Sequence, residues 1–289
     1  MSKQVSESIV AAADGTVIAF RTVGSGPGLI VVGGSLADAE DYLGLASALA
    51  GSFTVHVMDR RGRGGSGPQL PDHSLAVEVG DLLAVQKATG ATVAFGHSFG
   101  GLVCLEASRD SVAFERIALY EPGVPIGGPA SNSWLPSYRR LLAAGDRRGA
   151  FAIMVRGAGL APAPLRLMPL WYSRLLLRLF VRGNRWQRME PLLEANATEH
   201  ELLASVRNSP ARYRQTQAQV LVLVGGKSPA ITGRDLLAAL IDTIPGCRGE
   251  VLDRLGHLAP TDPGAQSVAR TMLRELTGDP RSRDRPEET

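Results

Sequence analysis

Short apolar runs alternate along the chain with longer segments in which apolar residues recur at helical spacing. Eight of the runs have the length and the content of β-branched residues that strands prefer. They lie at residues 5–10, 17–22, 29–32, 54–58, 92–95, 116–120, 220–224 and 250–252. The Leu-Ile-Val-Val run at 29–32 has no polar position, which is typical of a strand covered on both faces. The turn pair Asp14-Gly15 between the first two runs indicates a hairpin.

Helical periodicity falls between these runs. Helices are predicted at residues 38–50, 75–89, 99–109, 234–244 and 265–276. Because strands alternate with helices along most of the chain, the pattern predicts an α/β fold. Its centre is expected to be a doubly wound, mostly parallel sheet of eight strands with helices on both faces.

The segment 123–217 breaks this alternation. It is rich in Leu, Ala, Arg and Pro and contains no convincing strand, so it is predicted to be a helical cap inserted at one edge of the sheet. The chain is therefore divided into an α/β core at 1–122 and 218–277, the cap, and a tail at 278–289. The tail is rich in Pro and charged residues, a composition typical of disorder.

One cap helix is predicted to run from Pro169 to about Arg182. Its arginines Arg174, Arg178 and Arg182 stand at i, i+4 and i+8 and form one narrow polar stripe, while Leu, Trp, Phe and Val occupy most other positions. We therefore expect most of this helix to be buried. Packing over a ligand pocket is the simplest arrangement, and contact with a second subunit or a membrane surface are the alternatives.

Composition limits the classes of partner. The chain of 289 residues is 44% hydrophobic and 20% charged with a net charge of +3, as in one large globular unit or a core with an insertion. No cluster of Lys and Arg interleaves with aromatic residues, so a nucleic-acid partner is not expected. Between Trp134 and Thr216, however, there are fourteen arginines and five acidic residues, so the cap is the basic part of the molecule.

Neither the start of the chain nor its cysteines indicate secretion. The first twenty residues lack the basic start and apolar run of a signal peptide. Cys104 and Cys247 fit neither a disulfide framework nor a metal spacing. No apolar run reaches the eighteen or so residues of a transmembrane helix. We therefore expect a cytoplasmic protein without an integral membrane segment, present as a monomer or homodimer.

The strongest chemical signal is Gly96-His97-Ser98-Phe99-Gly100, which follows a predicted strand and opens a predicted helix. In this context a serine is held on a strained turn at the carboxyl end of a sheet. The free N–H groups and the dipole of a helix N-terminus favour negative charge, so the Phe99 N–H is a candidate oxyanion donor. Ser98 is predicted to be a nucleophile, and a plain helix N-cap serine is the alternative.

Of the five histidines, His257 is the predicted general base. It follows the last predicted strand, where the chain can return over the carboxyl edge of the sheet, and a neutral imidazole can take the serine proton. His97 lacks the sequence distance that a return loop needs. His56 lies in a predicted core strand, and His73 and His200 lie in polar surroundings. The alternative is that His257 is an ordinary surface-loop histidine.

Three segments together resemble the α/β-hydrolase superfamily, and the resemblance covers nearly the whole chain apart from the tail and a divergent cap. They are the Gly-His-Ser-Phe-Gly-Gly elbow, the Asp-Arg-Arg-Gly-Arg-Gly-Gly-Ser turn at 59–66, similar to the family's Asp-x-Arg-Gly-x-Gly-x-Ser, and Leu255-Gly256-His257. The resemblance implies an α/β-hydrolase fold and a Ser-His-acid triad.

The acid of that triad does not stand where the family usually carries it. After the penultimate strand the family has Gly-x-x-Asp, whereas this chain reads Gly-Gly-Lys-Ser at 225–228. Some members carry the acid at the end of the strand beside the nucleophile strand, a position that Glu121 occupies here. Glu121 is therefore the implied acid. Asp262, Asp235 or no carboxylate at all are the alternatives that stay open.

The resemblance also implies the second oxyanion donor. Where the family commonly shows His-Gly-x after its third strand, residues 33–35 read Gly-Gly-Ser. The backbone N–H of Ser35 is therefore the expected partner of the Phe99 N–H.

Together these residues predict a serine hydrolase that cleaves a carboxylic ester or thioester of a hydrophobic small molecule through an acyl-serine intermediate. No organic cofactor is expected, and no cluster of metal ligands indicates a metal. One alternative is cofactor-free lyase or cyclase chemistry that uses His257 and the oxyanion hole, with Ser98 only positioning the substrate. Another is a ligand-binding receptor on a hydrolase scaffold.

Overall fold

An eight-stranded sheet runs through the centre of the molecule. The computed structural model describes residues 5–109, 112–126, 132–159, 167–206, 210–261 and 263–277. The strands are β1 (Ser6–Ala11), β2 (Val17–Gly24), β3 (Gly28–Val32), β4 (Thr54–Met58), β5 (Val93–His97), β6 (Arg116–Tyr120), β7 (Gln219–Gly225) and β8 (Arg248–Leu252). Their order across the sheet is β1-β2-β4-β3-β5-β6-β7-β8. β1 pairs antiparallel with β2 and β2 with β4, and the other pairs are parallel, which confirms the predicted hairpin and the mostly parallel sheet.

From β3 onward, helices lie between successive strands of the described residues, and one more follows β8. They are α1 (Leu43–Leu49), α2 (Leu75–Thr89), α3 (Phe99–Arg109), α4 (Leu135–Ala143), α5 (Arg147–Gly157), α6 (Leu170–Phe180), α7 (Asn184–Met189), α8 (Leu193–Ser205), α9 (Arg234–Thr243) and α10 (Ala265–Thr277). The helix predicted at 38–50 is divided, since Ala39–Tyr42 forms a 3-10 turn before α1 begins. The Asp38 side chain caps this turn by accepting the N–H of Glu40.

The two faces of the sheet carry separate apolar clusters because side chains alternate along a strand. Ile30 of β3 packs in one cluster with Leu102 of α3. Its neighbour Val31 packs in the other cluster with Leu45 of α1 and Met272 of α10. All five side chains are fully buried. Burial on both faces explains why residues 29–32 contain no polar position.

The cap, formed by α4 to α8 between β6 and β7, has an apolar core of its own. Tyr138 of α4, Phe151 of α5 and Leu193 of α8 meet at its centre. The Tyr138 hydroxyl is buried there and donates to the Leu193 carbonyl at 2.9 Å.

In the part of the chain that the structure describes, no helix is both long enough and apolar enough to cross a bilayer. The predicted tail, residues 278–289, lies outside that part.

The prediction that most of the helix after Pro169 is buried is wrong. In α6 only Ser173 is fully buried, and large apolar side chains such as Trp171 and Phe180 are exposed. The helix packs on the cap through a narrow inner strip that includes Leu177. Most of the large apolar side chains of α6 therefore face outward, as its arginines do.

Gly100→Ala tests the close approach of α3 to the end of β3. A Cβ at residue 100 would overlap the Val32 carbonyl oxygen and come within 2.6 Å of that of Gly33. Because both obstacles are backbone atoms, we expect the free energy of unfolding to fall by about 1–3 kcal/mol. Gly80→Ala in α2 is the matched control, since nothing lies within 4 Å of the added Cβ. It is expected to stabilise the protein by about 0.5–1 kcal/mol. Urea unfolding measures both, and equal stabilities would contradict the described packing.

Candidate active site

Three of the predicted site residues lie at the carboxyl edge of the parallel strands. Ser98 directly follows β5, Glu121 directly follows β6, and His257 lies in the loop after β8. The carboxyl ends of parallel strands share one edge of a sheet, and this edge is the usual place for a ligand site in α/β proteins. The structure brings His257 and Glu121 into direct contact and places Ser98 on the adjoining turn.

Ser98 stands on a tight and strained turn. Its φ is +53°, a conformation that is uncommon for a residue other than glycine. Its N–H donates to the Tyr120 carbonyl at 3.0 Å, and its own carbonyl accepts the N–H of Gly123 at 2.7 Å. Glycine is required at residue 96, because a Cβ there would come within 2.6 Å of the Gly101 Cα. The turn is therefore held by backbone bonds to the last residue of β6 and to the segment that follows it.

His257 and Glu121 form a partly buried hydrogen bond. His257 Nδ1 lies 2.7 Å from Glu121 Oε2. A carboxylate only accepts hydrogen bonds, so Nδ1 carries the proton, and Nε2 of the neutral ring can accept one. The Glu121 side chain is fully buried, whereas the imidazole is 23% exposed. Such a carboxylate fixes the tautomer of the imidazole and stabilises its protonated form.

Backbone groups of β7 hold Glu121 in place. Its Oε1 accepts the N–H of Gly225 at 2.7 Å, and its own N–H donates to the Leu223 carbonyl at 3.0 Å. Its φ of +42° again belongs to the left-handed region. Of the alternative carboxylates, Asp235 is exposed on α9, and Asp262 lies outside the described residues. The structure therefore favours Glu121 as the partner of the imidazole.

His97, which the sequence does not predict to be the base, connects the loop of His257 with the loop after β3. Its Nε2 lies 2.9 Å from the His257 carbonyl oxygen, which can only accept, so Nε2 carries the proton. Its Nδ1 then accepts the Tyr42 hydroxyl at 2.7 Å, and this hydroxyl accepts the N–H of Gly34 at 2.8 Å. Burial, followed by the nearby His257, lowers the pKa of His97 well below its usual range, so the ring stays neutral. The hydrogen-bond chain fixes the backbone of two loops around Ser98.

The loop after β3 lies directly against the serine turn. A Cβ built on Gly34 would come within 3.1 Å of the Ser98 Cβ. Ser35, the next residue, helps to lower the pKa of the Glu199 carboxyl of the cap. The Phe99 N–H is the first of α3, a donor that no carbonyl within the helix satisfies. The two predicted oxyanion donors thus belong to the two segments that adjoin Ser98.

A buried arginine holds the loop after β3. Arg60 donates to the Gly33 carbonyl at 2.9 Å and to the Gly34 carbonyl at 3.1 Å. The same guanidinium pairs with Glu78 of α2 and Glu199 of α8, each at 2.8 Å. The arginine is 1% exposed and both carboxylates are fully buried. The Asp-Arg-Arg-Gly turn at 59–62 therefore positions this loop by binding its carbonyl groups.

Glu199 joins the cap to this core cluster. It pairs with Arg60 and also with Arg63, which donates to the Gly34 carbonyl as well. Burial by itself raises the pKa of the Glu199 carboxyl. The charges of the two arginines and the hydrogen bonds from Ser35 and Arg63 outweigh it and lower that pKa to about 2. No sequence signal identified Glu199, because only the tertiary structure brings α8 to the arginine turn.

Glu199→Ala would leave two buried guanidinium groups without their shared partner. We expect the free energy of unfolding at pH 7 to fall by about 3–5 kcal/mol. Glu201→Ala, on the same helix, is the matched control, because its ion pair with Arg139 is about half exposed. That pair is expected to contribute less than about 1 kcal/mol. Denaturant unfolding of the two variants measures the difference.

The same carboxylate predicts a pH dependence of stability. Its pKa is about 2 in the folded protein against an ordinary value of 4.5. Its contribution is therefore complete above pH 4.5 and is lost as the pH falls towards 2. The unmodified protein should lose more stability across this window than Glu199→Ala does. Parallel pH profiles of the two proteins would contradict this assignment.

The sequence matches known proteins over most of its length. The sequence model of the α/β hydrolase family matches residues 29–270. N-formylmaleamate deformylase from Pseudomonas putida is 27% identical over 257 residues, which are 84% of this chain and 86% of the deformylase.

Solved structures share the fold. An α/β hydrolase from Sphaerobacter thermophilus is 29% identical with a TM-score of 0.79, and the match covers 93% of this chain and 100% of that one. An N-formylmaleamic acid deformylase from Pseudomonas putida is 24% identical with a TM-score of 0.66, and the match covers 92% and 100%. Because the family match extends from β3 into α10 and spans most of the chain, this protein belongs to the α/β-hydrolase family.

Proposed function

We propose that this α/β hydrolase is a serine hydrolase that cleaves a carboxylic ester or thioester of a hydrophobic small molecule through an acyl-serine intermediate. The observation that carries the proposal is the hydrogen bond between His257 and Glu121, formed at the sheet edge where Ser98 stands on its strained turn. A serine, a base and a carboxylate in this relation are the minimum for acyl transfer to a hydroxyl.

Acylation begins when the Ser98 hydroxyl attacks the substrate carbonyl carbon. His257 Nε2 takes the hydroxyl proton as the new C–O bond forms and later delivers it to the leaving alcohol or thiol. Glu121, fixed by the Gly225 N–H, stabilises the imidazolium in the meantime. Water then attacks the acyl-serine with the same base, which releases the acid and restores the serine.

The negative charge on the carbonyl oxygen is stabilised by backbone N–H groups. Phe99 supplies the first N–H of α3, where the helix dipole also favours negative charge. Ser35 supplies the second from the loop that Arg60 and the Tyr42 hydroxyl hold in place. Because both donors are fixed before the substrate arrives, little reorganisation is needed during the reaction.

The apolar character of the substrate is supported by the cap residues near the turn. Leu203 of α8 comes so close to Gly123 that a Cβ there would lie 3.0 Å from the leucine side chain. The same hypothetical atom would lie 3.3 Å from the Ser98 carbonyl oxygen. An apolar side chain of the cap therefore stands beside the serine turn, where it suits an acyl chain or ring.

A second candidate is the hydrolysis of an N-formyl amide. It is favoured by the 27% identity with N-formylmaleamate deformylase over most of both chains. Transfer of a formyl group to Ser98 requires the same hydroxyl, base and oxyanion donors as transfer of a larger acyl group. An N-formyl amide therefore belongs in the first substrate panel beside esters and thioesters.

Labelling with a fluorophosphonate probe tests the acyl-serine mechanism, because the probe captures only an activated serine. We expect the unmodified protein to be labelled on the peptide that contains Ser98, as located by mass spectrometry. Ser98→Ala and His257→Ala should both abolish labelling. Ser205→Ala, which removes an exposed serine of α8, is the control and should leave it intact.

A folded protein that stays unlabelled would contradict the acyl-serine mechanism. That result would favour the cofactor-free lyase or cyclase chemistry, in which Ser98 only positions the substrate, or the receptor function. Turnover of a substrate by Ser98→Ala would then support lyase or cyclase chemistry, and the absence of turnover would support the receptor function.

Glu121→Gln tests the position of the acid. The amide has lost the charge that stabilises the imidazolium, so we expect the rate of acylation to fall roughly a hundredfold or more. Asp235→Asn and Asp262→Asn are the controls and should leave the rate nearly unchanged. Stopped-flow measurement of the acylation burst with an activated ester gives all three rates. A larger loss in either control would assign the acid to that residue instead.

A further inference from the structure

The outer surface of the cap carries an unusual concentration of exposed apolar side chains. Thirteen large apolar side chains are exposed among the described residues, and six of them lie between 167 and 180. They are Leu167, Met168, Trp171, Leu175, Leu179 and Phe180. Trp171, Leu175 and Leu179 are 66%, 49% and 55% exposed and stand at i, i+4 and i+8, so they form one row along α6. These six side chains together are called the α6 face below.

Positive charge surrounds the α6 face. Residues 147–189 contain nine arginines and not a single acidic residue. Arg174 pairs with Asp146 at 2.9 Å at the edge of this segment. Arg178 and Arg182, in contrast, have no acidic partner within 4.0 Å in the described part of the chain. Arg178 and Arg182 thus flank the apolar row as cations that are not paired with an acidic side chain of the described residues.

A cationic groove adjoins the row. It has a volume of about 580 Å³, and its charged lining consists of Arg147, Arg148, Arg174, Arg178, Asp146 and Glu190. Arg174 pairs with Asp146 and Arg147 with Glu190, whereas Arg148 and Arg178 have no acidic partner within 4.0 Å among the described residues. Burial, followed by the charge of Arg178, lowers the pKa of the Arg148 guanidinium. Two like charges therefore share a groove of a size that admits a phosphate group, and an anion between them would be stabilised.

We propose that the α6 face docks the protein on an anionic lipid surface. The row of Trp171, Leu175 and Leu179 enters the boundary between headgroups and acyl chains, and the arginines bind lipid phosphates. A helix with an apolar row, cationic flanks and no acidic residue has the composition of interfacial membrane helices. This inference concerns a surface outside the catalytic site and does not depend on the proposed hydrolysis.

A second copy of the chain fits this face less well. A two-fold dimer through the α6 face would place the arginines of one copy against the same arginines of the other. Like charges brought together at an interface are unfavourable. The apolar row also projects from a convex helix rather than forming a groove for a partner segment. A lipid surface supplies both the opposite charge and an apolar layer that the row can enter.

Vesicle co-sedimentation tests the electrostatic part. Vesicles of phosphatidylcholine with a third of phosphatidylglycerol are compared with vesicles of phosphatidylcholine alone. We expect the full chain to bind the anionic vesicles, and binding to weaken with salt. Arg178→Gln/Arg182→Gln should lower the partition coefficient roughly thirtyfold, from the usual contribution of each basic residue near a charged surface. Arg234→Gln/Arg270→Gln removes the same amount of charge from the surface of the α/β core and should leave binding unchanged.

The apolar part has its own variants and readout. Leu175→Ser/Leu179→Ser should abolish most binding, whereas Ile9→Ser/Ile241→Ser, at exposed positions elsewhere, should not. Tryptophan emission of the unmodified protein should shift to shorter wavelength with anionic vesicles. Trp171→Phe should remove this shift, since the other two tryptophans lie off the row. All substituted side chains are exposed, so thermal unfolding should show that each variant remains folded.

The proposal is overturned if the protein does not sediment with anionic vesicles. It is also overturned if Arg178→Gln/Arg182→Gln and Leu175→Ser/Leu179→Ser bind these vesicles as the unmodified protein does. A protein that does not bind vesicles but forms a concentration-dependent dimer, which Leu175→Ser/Leu179→Ser dissociates, would point to a second copy instead. Sizing by light scattering without lipid detects such a dimer.

Discussion

The buried guanidinium of Arg60 is the interaction on which the rest of the site depends. It binds the carbonyl groups of Gly33 and Gly34, and so it sets the position of the loop that lies against Ser98. It also forms an ion pair with Glu199 of α8, so the same guanidinium links the cap to this loop. A buried charge without partners is strongly unfavourable, so each of these contacts constrains the others.

Two strained turns at neighbouring strands define the catalytic geometry. Ser98 and Glu121 both have positive φ, and backbone bonds from Ser98 to Tyr120 and from Gly123 to Ser98 tie their turns together. β7, after which the family resemblance places the usual acid, contributes the Gly225 N–H to Glu121 instead. The proposed acid has thus moved by one strand, while the imidazole still finds a buried carboxylate at the same sheet edge.

Much of the fold follows from short-range pattern. The bounds of β4, α2, α3 and β6 agree with the sequence prediction residue for residue. Strand and helix periodicity are properties of neighbouring residues, and so is the glycine pattern around Ser98 that permits a tight turn after β5. Glu121 is implied by the family resemblance, because some members carry the acid at the end of the strand beside the nucleophile strand. Its contact with His257 agrees with that inference.

The sequence by itself thus determined the order of the elements and the glycine pattern of the serine turn, and with the family resemblance it predicted the histidine and the carboxylate. Only the tertiary structure decided which surfaces are covered. The pattern of α6 shows that the helix is apolar, but not whether another element packs on it, and its row with Trp171 stays exposed. Neither the pairing of Glu199 with Arg60 nor the bond from His97 to the His257 loop leaves a local signal. These contacts join residues more than a hundred positions apart, whereas periodicity and turn chemistry act only over a few.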